Sequence, residues 1–131
     1  MEEKFNFATP QRPEGTRPLD ADLLPIDINQ YIKQIKEEEA YYKNGKNAIT
    51  VFKSNKVTIT LIALKENESV HSGNETNEYF MSLQLIDGEL FFQAAENNIE
   101  LDEGKLVTLH HPQSFKIIAN KESICLLTMI K

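Results

Sequence analysis

Apolar positions along the chain follow two different periods. Ile28, Tyr31, Ile32 and Ile35 fall at i, i+3, i+4 and i+7, while Lys33, Lys36, Glu37 and Glu38 take the opposite side. That is the single apolar face of an amphipathic helix. Asp27 can cap its start, because a carboxylate accepts a first-turn amide that has no partner inside the helix. Asn44-Gly45 supplies the stop. The pattern predicts a helix over 28–42. After Gly45 the period becomes two. Ala48 to Phe52, Val57 to Leu64, Tyr79 to Ile86, Leu90 to Phe92, Ile99 to Leu101, Leu106 to Leu109, Phe115 to Ile118 and Ile124 to Ile130 all read as strands. Asp87-Gly88 has the residues of a tight hairpin, and Glu103-Gly104 those of another turn. Short strands at roughly 8–12-residue spacing make a mainly β chain, an antiparallel sandwich or barrel.

Residues 1–27 lack both periods. They hold Pro10, Pro13, Pro18 and Pro25, four of the five prolines, and read as an extended arm or a tail. Phe5, Phe7, Leu23, Leu24 and Ile26 favour an arm that docks. Residues 28–131 are left as one domain, a usual domain size.

Composition narrows the function classes. Fourteen Lys+Arg against 20 Asp+Glu give a net charge of −6, which argues against general nucleic-acid binding. A single cysteine excludes an internal disulfide framework and Cys-rich zinc modules. That residue, Cys125, sits in the apolar run Ile124-Cys125-Leu126-Leu127 and reads as buried. Apolar runs are far short of the ~20 residues that span a bilayer. The start, Met1-Glu2-Glu3-Lys4, lacks signal-peptide order, so a cytoplasmic location without membrane partners is expected. Ser82, Ser114 and Ser123 have no nucleophile motif around them, and the glycines form no phosphate loop.

Four stretches in order carry a family resemblance. Leu61-Ile62-Ala63-Leu64 leads through a polar stretch to His71. Met81 to Gly88 forms a closing strand with its glycine. Gly104 to His110 opens a second motif, and Ile118 to Thr128 supplies the final pair of strands. Together they resemble a small single-domain bacterial cupin, over about 47–131. The implied fold is a jelly-roll barrel over 47–131, preceded by one amphipathic helix and an extended arm. Metal-binding cupins use a His-x-His pair, a Glu seven residues before the hairpin glycine, and a later His. On this alignment His71 stands at the first position. Gly73, Met81 and Phe115 stand at the other three. At most one of four ligands survives, so no metal and no cofactor are expected. His71 and His110 are the weak metal candidates. Glu75 and Glu78 lie in a long loop that could lean inward. His110 and His111 are adjacent, and a strand would send them to opposite faces.

The resemblance places Met81 inward, with Tyr79, Leu83 and Leu85 on the same face by alternation. A mainly apolar lumen follows, with His71, Met81, Leu83, His110 and Phe115 as the expected ligand-pocket residues. A barrel filled by its own side chains is the alternative. The first functional reading is a non-catalytic, metal-free binding or structural module, a homodimer with a small-molecule ligand of unknown identity. A second is a cupin enzyme using His71 and/or His110, either a metal-dependent oxygenase or a metal-free sugar isomerase or epimerase. A third is a small-metabolite sensor.

Overall fold

The computed structural model describes residues 4–6, 17–72 and 78–131. Phe7, Pro10, Pro13, Gly73 and Glu75, on which parts of the reading above depend, lie outside the described residues.

The arm contains two short strands, β1 (Lys4–Asn6) and β2 (Arg17–Asp20), paired antiparallel. Arg17 donates to the carbonyl of Thr50 in β3 (Lys46–Lys53), so this end of the arm docks on the domain.

The predicted helix forms, but in two pieces, α1 (Ile28–Glu37) and α2 (Glu39–Asn44). Asp27 caps α1 by accepting from the Gln30 amide at 3.1 Å. The break falls at Glu38, whose φ −74° and ψ 147° are extended. A continuous helix would give the Ile35 carbonyl to the Glu39 amide. Here Asn47 Nδ2 donates to that carbonyl at 3.1 Å, and also to Glu38 Oε1 at 2.9 Å. A residue outside the periodic segment therefore splits the helix, which the period could not show. Gly45 ends α2 with φ 75°, and its amide returns to the Tyr41 carbonyl at 3.0 Å.

The strands after β3 are β4 (Val57–Leu64), β5 (Ser69–His71), β6 (Phe80–Asp87), β7 (Glu89–Ala94), β8 (Asn97–Asp102), β9 (Leu106–His110), β10 (Phe115–Ala119) and β11 (Ser123–Ile130). They form a five-stranded sheet, β3-β4-β11-β6-β9, and a four-stranded sheet, β5-β10-β7-β8. Every pairing is antiparallel. The two sheets close on a core of Ile62, Leu64, Met81, Leu83, Leu85, Leu90, Phe92, Ile117 and neighbours drawn from both. A second core lies outside the five-stranded sheet. There Ile35 and Tyr41 of the helices cover Ile49, Leu61, Ala63 and Ile124. In β4 and β11 alternate residues thus feed different cores, which is why both strands are apolar on both faces.

Asp87-Gly88 is not a hairpin. β6 and β7 lie in different sheets, and the chain crosses between them at this corner. Gly88 has φ 101°, and a Cβ there would lie 2.4 Å from the Glu122 carbonyl and 2.3 Å from Ser123 Oγ. Only glycine permits that approach. The Ser123 hydroxyl accepts from the Glu89 amide at 3.0 Å and ties the corner to β11.

Candidate functional site

Inside the barrel, Met81 and Leu83 are 0 % exposed and Phe115 is 5 % exposed. All three belong to the same buried cluster. Met81 is flanked across the sheet by Met129 on β11 and Leu109 on β9. Phe115 packs on Phe92 at a ring separation of 5.7 Å. Tyr79 does not share their face. It precedes β6, it is 56 % exposed, and its carbonyl accepts from the His111 amide at 2.8 Å.

Neither His71 nor His110 enters this interior. In β5, Val70 pairs with Ile117 and packs on the core. Alternation then sends His71 outward, beside Lys116. In β9, Leu109 pairs with Met81 and packs inward, so His110 faces outward opposite Phe80. Its ring meets that of Phe80 edge-on at 5.4 Å. The pocket expected from His71, Met81, Leu83, His110 and Phe115 is therefore divided. Three of those residues are interior, and the two histidines stand on the outer faces of different sheets. At His111 the backbone turns left-handed, φ 47°, and both adjacent histidines contact the Tyr79 ring, at 6.3 Å and 5.0 Å.

The donor set does not fit a metal held inside the barrel. Divalent first-row ions need three or four N, O or S donors at about 2.0–2.3 Å. Among the described residues the interior cluster contains no His, Asp or Glu, and its sulfur atoms are the thioethers of Met81 and Met129 and the protonated thiol of Cys125. Among the described residues, the acidic groups that converge are Glu89, Glu100 and Asp102, with oxygens within 4.8 Å of one another. They lie on the outer face of the four-stranded sheet. Lys121 pairs with Glu89 at 3.5 Å, and Lys105 with Asp102 at 3.1 Å. A hydrogen bond with Glu89 holds the Glu100 carboxyl above its ordinary pKa, with slight burial and the neighbouring negative charges adding to the rise. Burial alone pushes the Cys125 thiol up to about 12, which leaves no thiolate for nucleophilic work.

An open depression of about 500 Å³ lies at one end of the four-stranded sheet. His71, Gln93, Ala95, Gln113, Ser114, Phe115 and Lys116 line it. Lys116 pairs with His71 on one side and Gln93 on the other, so the three side chains rise from one row of the sheet. Ser72 fixes the adjoining loop. Its hydroxyl accepts from the Phe115 amide at 2.7 Å and donates to the Gln113 carbonyl at 3.2 Å. Of the residues expected in a pocket, His71 and Phe115 line this depression, while Lys116, Gln93 and Ser72 are not among those expected. Alternation could place Lys116 on the outward face of its strand. Which strands flank it is a matter of sheet order, which no local pattern carries.

No protein-family model matches the chain, and no curated protein does. Solved structures do match. A cupin superfamily protein from Desulfitobacterium hafniense aligns at TM-score 0.59 and 18 % identity, over 66 % of this chain and 78 % of that one. An RmlC-like cupin from Desulfovibrio desulfuricans aligns at 0.60 and 13 %, over 83 % and 90 %. A cupin-2 domain-containing protein from Shewanella frigidimarina aligns at 0.59 and 14 %, over 81 % and 94 %. The barrel closed by two antiparallel sheets and these alignments agree: this chain has the cupin fold.

Proposed function

We propose that this cupin-fold domain is a non-catalytic, metal-free module that works by binding. One observation carries the reading: the barrel interior is packed with apolar side chains, Met81 and Phe115 among them. The reading through an enzyme needs a histidine with an acid partner in a pocket. His110 faces outward, and among the described residues no acidic side chain lines the depression beside His71, which favours binding over catalysis. Recognition of a small molecule then belongs to the outside of the barrel. A homodimer is part of the proposal. The helices cover the β3-β4-β11 side of the five-stranded sheet, while Tyr79 and Leu106, each 56 % exposed among the described residues, lie on the β6-β9 side.

The test is elemental analysis of purified protein after incubation with iron, manganese, nickel and zinc salts and desalting. Substoichiometric retention of every metal is expected. One tightly held equivalent of any of these metals would overturn the proposal. Light scattering checks the dimer independently, and the mass of one chain at micromolar concentration would refute it.

A further inference from the structure

We propose that the depression over β5, β10 and β7 is a binding site for a small oxyanion, a carboxylate or phosphate group on a small polar molecule. Three strands of one sheet build it. Lys116 stands between His71 and Gln93, and paired residues on neighbouring antiparallel strands have Cα atoms about 4.5–5.5 Å apart. Three donor-bearing side chains thus rise from one rigid row. Gln113 and Ser114 add an amide and a hydroxyl from a loop that Ser72 ties to the end of β5.

The charge of the site is opposite to that of the chain. With 14 basic and 20 acidic residues the protein carries −6, yet no Asp or Glu lines the depression among the described residues. Lys36, Lys43, Lys105 and Lys121 each have a carboxylate partner. Lys116 has no ion pair among the described residues, so its charge is open to a ligand. Lys116 is half-buried, so its ammonium has less freedom to lose on engaging an anion than that of a fully exposed lysine. A volume of about 500 Å³ suits a small molecule. The ammonium supplies the charge, while the imidazole, amides and hydroxyl supply directed hydrogen bonds. The open shape points to a small ligand held at one end.

The inference takes its biological sense from the binding-module reading, but its test does not involve the barrel interior. The full chain, labelled with nitrogen-15, is titrated with inorganic phosphate and, separately, with malonate, against chloride at equal ionic strength. Saturable shifts are expected at the amides of His71, Gln93, Ser114 and Lys116. Lys116→Gln should weaken binding roughly tenfold, and His71→Ala should weaken it as well. Lys33→Gln, on the exposed face of α1, should leave it unchanged. Tighter binding of either probe supports the site and assigns the group it prefers. No saturable shift with either probe, or an equal loss in Lys33→Gln, would overturn the site. A metal found in the barrel by elemental analysis would sink the earlier reading and leave this one standing.

Discussion

Met81→Ala tests whether the barrel interior is a packed core or a ligand chamber. Met81 is 0 % exposed and lies between Met129 and Leu109, with Leu83 and Leu85 along its own strand. The substitution removes three heavy atoms beyond Cβ. At about 0.8 kcal/mol for each buried methylene-sized group, the lost transfer free energy is about 2.4 kcal/mol. A cavity contribution is added, because flanking strands fixed by ladder hydrogen bonds collapse only partly. The usual range for burying such a truncation is about 2–5 kcal/mol, and the complete burial places this site near 4. For a domain of 131 residues, each kcal/mol lowers Tm by roughly 3–4 °C, so a fall of about 14 °C is expected. Urea unfolding followed by circular dichroism measures the same loss, with the slope m unchanged. A loss below about 1 kcal/mol would mean that water or a mobile segment already occupies the space around Met81. The barrel would then be a chamber and not a packed core, and a metal-free binding module would lose its basis.

Further predictions follow from other positions. Gly88→Ala should cost about 3–5 kcal/mol, because the new Cβ meets the Glu122 carbonyl 2.4 Å away and φ is 101°. Gly104→Ala shares the positive φ, 85°, but meets nothing within 4 Å, so it should cost only the conformational part, about 1–2 kcal/mol. Equal melting temperatures for the two variants would show that the β6–β7 corner is not fixed by that close approach. Asn47→Ala should cost about 1–2 kcal/mol, since it strands the Ile35 carbonyl and removes a donor from Glu38. A loss within error in chemical denaturation would refute that role. Stability should fall as pH rises from about 9 towards 12. Buried Cys125 keeps its proton up to about 12 in the folded state, whereas an unfolded thiol releases it near about 8.5. Between those values the folded chain binds more protons, so the slope of unfolding free energy against pH is negative. Cys125→Ala should flatten that slope, and an unchanged slope would assign the effect elsewhere. Tyr41 acts in the same direction, its hydroxyl raised by burial and by donation to Glu122.

Local pattern alone determined much of this protein. The period-two segments mark β3, β4, β6 to β8 and β9 to β11 within a few residues, and Asp27 and Gly45 cap the helical region as their chemistry requires. The order of the four cupin-like stretches determined the fold. Burial of Cys125 follows from its apolar run, and burial of Met81, Leu83 and Phe115 is what the cupin resemblance implies. Tertiary structure decided the rest. Alternation is a local property, but which of its two phases faces inward depends on what lies across the sheet. Val70 meets Ile117 and Leu109 meets Met81, and those pairings turn His71 and His110 outward. The split at Glu38 depends on Asn47, nine residues away, and the corner at Gly88 depends on β11 passing close by. The row of His71, Lys116 and Gln93 exists because sheet order sets β10 between β5 and β7. Each of these joins residues far apart along the chain, and a sequence pattern describes only neighbours.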